Sequence, residues 1–233
     1  MHTPRTSPHH IAWLIFLVPV FSVHAAYAIG WWQGVAYECN PYLHGCTTIS
    51  RAAREGDAIF LFRGLMMPLS MLLVFYWYLQ RIWLQQMTGK PNWHIFVMGA
   101  VGALFLILYV NYLGTDGDFN RFMRRHGIIF YFGLTALAQL FSVFSLQNVM
   151  NNLDRKVVRY MDIQLLLIIL CWIAGAVQVA IKSMGVSWEK EAENVIEWHF
   201  ALYMSLHFVL TALMWRHTKF SWHFKKEKEH ERH

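Results

Sequence analysis

Six separate runs of apolar residues constrain this chain more than any other feature. Each is about 18 residues or longer, the length of α-helix that crosses a hydrocarbon core of roughly 30 Å at 1.5 Å per residue. They cover residues 11–30, 58–80, 93–113, 127–149, 163–181 and 194–215. Composition agrees: 15% of residues are charged and 56% hydrophobic, against about 25% charged in an ordinary soluble domain. The expected fold is therefore all-α, a polytopic membrane protein with six transmembrane helices in one bundle over residues 1–216 and a basic tail at 217–233. The longest connection, 31–57, holds only 27 residues and leaves no room for a soluble domain. The short connections elsewhere make sequence neighbours antiparallel and adjacent. No internal repeat is evident, so an inverted-repeat transporter gains no support. The first run also contains a small-x-small pattern at Val23-His24-Ala25-Ala26-Tyr27-Ala28, as a signal peptide would. It is longer than a usual signal core, however, and only Arg5 precedes it.

An even number of spans puts both termini on one side, and Lys and Arg decide which. With cytoplasmic termini, twelve basic residues fall on the cytoplasmic side and seven on the other, with Arg63 inside the second span. Cytoplasmic N- and C-termini are therefore expected, in a bacterial inner membrane or a eukaryotic endomembrane alike. The net charge of +6 arises mainly from the cytoplasmic loops and the tail. The tail's mixture of Lys with Trp222 and Phe224 suits an anionic membrane surface rather than nucleic acid. The tail is a solvated topology determinant or else a lipid-binding segment, with a phospholipid or a glycolipid as the partner expected in the second case.

Three cysteines are present. Cys39 and Cys46 share the first external loop, close enough for a disulfide in an oxidising compartment, or for two free thiols in a reducing one. Adding His44 gives only three metal ligands, without a zinc spacing, so no metal site is expected. Cys171 lies mid-span and reads as a small core residue.

Polar side chains are costly in a bilayer and usually face the bundle interior or a cavity. His24, Arg63, Asn111, Tyr112, His126, Gln178, Lys182, Glu197 and His199 all fall within roughly 10 Å of the external ends of their spans. They make one polar layer, or else they snorkel singly to the interface. Arg63 stands among Phe60, Leu61, Phe62, Leu65 and Met66 and needs a carboxylate or a phosphate. Glu197, at a similar depth, is its expected ion-pair partner. In an enzyme, His126 or His24 would be the base, and Glu197 would orient a histidine or neutralise Arg63. Arg63, Asn111, Tyr112, Ser50, His199 and His207 would contact substrate. Ser50 has no Gly-x-Ser-x-Gly setting and reads as a loop serine. His199 and His207 invite a haem reading, but eight residues turn a helix by about 80° and no paired histidines face them. No cofactor is therefore expected.

The segment Pro41-Tyr42-Leu43-His44-Gly45-Cys46-Thr47-Thr48-Ile49-Ser50 is followed by Gly56 and then the second span. With His126-Gly127 and Phe130-Tyr131-Phe132 in the fourth span, and Glu197-Trp198 in the sixth, it resembles the Frag/DRAM/Sfk superfamily of six-span membrane proteins. His207, about three turns further on, is similar to the branch that remodels the lipid of GPI anchors. Arg51-Ala52-Ala53-Arg54 is an insertion relative to that pattern. The resemblance implies lipid handling. The expected function is lipid remodelling or lipid binding in a polar pocket open to the external leaflet, by acyl transfer or lipid hydrolysis if the protein is an enzyme. A non-catalytic membrane scaffold or regulator is the alternative, and a haem or quinol redox subunit the second.

Overall fold

A computed structural model of the chain describes residues 7–36 and 38–221. Arg5 and most of the expected tail, 222–233, lie outside the described residues. Among the described residues six helices are long and apolar enough to cross a membrane. They are α1 (His9–Trp32), α4 (Ala58–Thr88), α5 (Trp93–Tyr112), α6 (Asp118–Gln147), α7 (Arg155–Met184) and α8 (Glu189–His217). Two single-turn helices, α2 (Pro41–His44) and α3 (Ile49–Ala52), occupy the connection from α1 to α4. They close one end of the bundle, here termed the capped end.

The sequence places each span correctly but cuts several short. Helix α6 begins at Asp118 and α4 continues to Thr88, well beyond the apolar runs. A helix satisfies its own backbone, so it propagates past the hydrocarbon boundary through good helix formers such as Arg, Gln and Met. Local signals set its ends. Gly89, with φ 72°, terminates α4, and the Asp154 side chain accepts the Lys156 N–H at 2.8 Å to start α7. Asp154 also receives His217 Nε2 at 3.0 Å, tying the start of α7 to the end of α8.

The helices form a ring in which α4, α5 and α6 follow one another, α7 packs on α8, and α1 lies against both α4 and α8. Contact between α6 and α7 is sparse. It leaves an apolar crevice of about 420 Å³ lined by Gly133, Leu137, Cys171, Gly175 and Phe200. Toward the end opposite the cap the interior is aromatic. Tyr76 stacks on Trp215 at 5.4 Å and meets Phe208 edge-on at 5.0 Å, while Trp215 Nε1 donates to Gln80 Oε1 at 3.2 Å. Buried amides link the helices across the middle. Gln139 donates to the Met204 carbonyl at 3.0 Å, and Gln164 to Thr211 Oγ1 at 2.9 Å. Such bonds matter because lipid tails offer no competing apolar gain for helix association.

Close approach is set by glycine. A Cβ on Gly127 would lie 2.9 Å from the Tyr109 amide nitrogen and 3.1 Å from the Phe105 carbonyl, both backbone atoms of α5. Gly64, on α4, has nothing within 4 Å. Gly127→Ala should therefore lower thermal stability in detergent by an overpacking penalty of about 1–3 kcal/mol. Gly64→Ala should be neutral or slightly stabilising. Equal melting of the two variants would contradict the α5–α6 packing.

Candidate functional site

The cap is the part of the chain that needs help, because residues 33–36 and 38–57 have little regular backbone pairing. Asn40 accepts the Tyr42 N–H at 3.0 Å, and with Pro41 next it starts α2; Gly45, at φ 61°, ends it. Thr48 Oγ1 accepts the Arg51 N–H at 2.9 Å and starts α3. Cys39 and Cys46 are joined by a disulfide across α2, their Cα atoms 6.5 Å apart. The flanking spans supply the remaining partners. Tyr27 of α1 donates its hydroxyl to the Cys39 carbonyl at 2.8 Å and accepts the Cys39 N–H at 3.1 Å. From α8, Asn194 donates to the Gly45 carbonyl at 2.6 Å and Trp198 Nε1 to the Thr47 carbonyl at 3.0 Å. The next α8 side chain in this row, Glu197, takes the N–H groups of Ile49 and Ser50.

Two small cavities adjoin beneath the cap and share Pro19, Val23, Ile49, Ala201 and Ser205. The first, of about 40 Å³, contains His24, Tyr42 and Trp198. His24 Nδ1 lies 2.7 Å from the Val20 carbonyl, which can only accept, so Nδ1 carries the proton. Nε2 is then the acceptor for the Tyr42 hydroxyl at 3.1 Å. Burial pushes the Tyr42 hydroxyl above its ordinary pKa, so it stays protonated and donating near neutral pH. Trp198 holds both rings from the edge, 5.5 Å from His24 and 5.3 Å from Tyr42.

The second cavity, of about 50 Å³, contains Glu197, Tyr109, Tyr131 and Ser205 within walls that include Phe62, Met66 and Leu106. Beside it, Ser50 Oγ and the Tyr109 hydroxyl lie 2.8 Å apart. Each cavity has room for a few water molecules, since one needs about 10–15 Å³ of such volume. The lining is mainly apolar, and the polar groups a water would bond to are His24 and Tyr42 in the first cavity and Glu197 in the second.

The expected polar layer is thus divided. His24, Ser50 and Glu197 meet at the two cavities. His199 stands beside them, its ring edge-on to Tyr42 at 5.4 Å and its Nδ1 at 3.0 Å from the Val195 carbonyl. Arg63 does not pair with Glu197. Its Nη2 donates to the Leu113 carbonyl at 2.6 Å and to that of Asn111 at 3.1 Å. The physical reason is that the last carbonyls of α5 have no helical partner and carry the negative end of the helix dipole, so they are the acceptors a nearby guanidinium finds. The Asn111 side chain turns back to the Ile107 carbonyl at 3.0 Å, and Tyr112 packs on Phe119 at 5.9 Å. His126 lies on its own helix, Nδ1 at 2.8 Å from the Phe122 carbonyl and its ring 3.9 Å from that of Phe122. None of Arg63, Asn111, Tyr112 or His126 lines either cavity. His207 is deeply buried beside Phe208, with no hydrogen-bond partner for either ring nitrogen among the described residues. Among the described residues no three His, Cys, Asp or Glu side chains gather as metal ligands.

Three residues of the site escape a search for charged and histidine side chains. Tyr42, Tyr109 and Trp198 look in sequence like interface or core aromatics. The pointers to Tyr42 are its place between the two cysteines and in a segment that carries the family resemblance, and Trp198 shares the second pointer. Comparison with family models, with curated proteins and with solved structures finds no match to this chain.

Two outcomes are expected from this geometry. Arg63→Ala and Glu197→Ala serve different elements, α5 and α3, so their stability losses should add within about 0.5 kcal/mol in the double variant. A double variant much more stable than the sum would restore the ion pair. Breaking the disulfide with Cys46→Ser should cost about 2–3 kcal/mol on a chain-entropy view, for a loop of this size. Rapid alkylation of two thiols in unreduced protein would show that the bond is absent.

Proposed function

We propose that this chain binds and remodels a membrane lipid at the capped end, with that end facing the lumen or periplasm and both termini in the cytoplasm. The observation that carries the reading is the pair of adjoining cavities. They bring an oriented, exposed imidazole against a tyrosine hydroxyl, with a carboxylate in the adjoining apolar-walled cavity. The resemblance to the Frag/DRAM/Sfk superfamily supports lipid as the substrate class, with GPI-anchor-like remodelling as its nearest form.

The chemistry such a set can perform is cleavage of an acyl ester. A water in the cavity gives a proton to His24 Nε2 as its oxygen bonds to the ester carbonyl carbon. Tyr42, released from His24, donates to the developing oxyanion. The imidazolium then returns its proton to the departing alkoxide, so the fatty acid and the alcohol leave together with no net gain or loss of protons at the histidine. With a second lipid hydroxyl in place of water the same steps transfer the acyl group. Both cavities are smaller than a headgroup, so entry requires Tyr42 and the α2 turn to lift away from His24.

Purified protein incubated with acyl-labelled phospholipid and glycolipid tests this. Release or transfer of the label is expected, falling by about 100-fold or more in His24→Ala, as for loss of a general base, with melting temperature largely retained. Lipid that binds without turnover would favour the scaffold reading. Turnover indifferent to His24 would remove the proposed base.

A further inference from the structure

The capped end carries a second cationic group, unused by the chemistry above. The two segments flanking the second cavity, 31–57 and 113–126, hold five basic residues, all arginine and none lysine: Arg51, Arg54, Arg121, Arg124 and Arg125. Arg51 lies 3.9 Å from Glu55 and Arg121 3.9 Å from Asp118, so each has a carboxylate at the limit of ion-pair range. Arg54 and Arg124 have none within 4 Å among the described residues.

These two converge on one turn from opposite sides. Arg124 Nη1 reaches the Thr115 carbonyl at a long 3.4 Å. A Cβ on Gly114 would sit 3.7 Å from Cβ of Arg54. Tyr109, little more than one turn further down α5 from that turn, touches Ser50 Oγ and lines the second cavity. Two partly buried arginines on one turn, neither with a carboxylate in range among the described residues, are placed to share an anion. Glu197 cannot serve, since its carboxylate is already taken by the backbone N–H groups of α3.

We propose that Arg54 and Arg124 bind a phosphate group, monoester or diester, at the mouth of the Tyr109–Glu197 cavity. Arginine's planar fork matches two phosphate oxygens, which a lysine's point charge does not. The site rests on the lipid reading of the cavities and adds to it the headgroup chemistry: a lipid phosphate held here leaves its acyl chains directed at the membrane-facing side of the bundle. The bland reading is that both arginines merely neutralise the carbonyl end of α5, as Arg63 does. That reading predicts that Lys replaces either without consequence and that no ligand follows them.

The test uses full-length protein in nanodiscs of neutral lipid, with phosphatidate or diacylglycerol added, and the same protein in detergent titrated with inorganic phosphate. Retention of phosphatidate over diacylglycerol is expected. It should weaken about tenfold in Arg54→Gln or Arg124→Gln, the loss of a charge-assisted fork contact, and substantially also in the charge-conserving Arg54→Lys and Arg124→Lys. Arg51→Gln and Arg121→Gln should change it less than about twofold, as solvent-screened surface charges do. Stabilisation by inorganic phosphate with the same arginine dependence would support the site with free phosphate as its ligand. Equal retention of phosphatidate and diacylglycerol together with no phosphate effect, or retention unchanged in all four Arg54 and Arg124 variants, would overturn it. The readout needs no turnover. His24→Ala should retain phosphatidate as the parent does, so failure of the ester chemistry and failure of this site are separately visible.

Discussion

Everything at the capped end depends on one row of side chains on α8 that satisfies backbone groups of the α1–α4 connection. Non-helical chain at membrane depth is tolerated only where its N–H and C=O groups find protein partners. Asn194, Trp198 and Glu197 supply them for Gly45, Thr47, Ile49 and Ser50. Gly45 itself is pressed against the Glu191 carbonyl, where no side chain has space. With Tyr27 of α1 on Cys39 and the disulfide across α2, that row holds Tyr42 over His24 and Ser50 over Tyr109. The same interactions therefore build the fold's closure and its candidate site.

This arrangement also explains why the polar residues sort as they do. A carboxylate and a guanidinium at one depth invite an ion pair, but each meets orphaned backbone first. Glu197 finds the amide end of α3, and Arg63 finds the carbonyl end of α5. Both choices follow from helix ends leaving unpaired groups of opposite polarity. What remains unclaimed beneath the cap is the His24–Tyr42 pair, and at its rim Arg54 and Arg124. Those are the groups with chemistry to spare.

The six spans were legible because a bilayer demands a length and an apolarity that few other sequences supply. Helix α6 shows the limit of that signal: the stretch from Asp118 to His126 is polar, so hydropathy omits it although it continues the helix. That Glu197 and His24 lie near the capped ends of their helices was legible too, from counting residues inward. Partners were not. Depth along an axis says nothing about which way round a helix a side chain points, and His126, at the right depth, turns back onto Phe122. Tyr42 and Tyr109 were hidden for a further reason: an aromatic residue near a membrane interface is so ordinary that only its neighbours distinguish it.

The most direct measurement is the location of a bound lipid. A phospholipid carrying a photoactivatable group near its ester, cross-linked in native membranes and mapped by peptide mass spectrometry, reports which surfaces the ester reaches. Labels are expected on residues 19–24, 42–50 and 197–205, the segments that contribute to the two cavities, with labelling at 42–50 lost in Trp198→Ala as the cap loosens. Labels confined to the exposed belt, such as Leu166, Ile169 and Trp172 of α7, would contradict it.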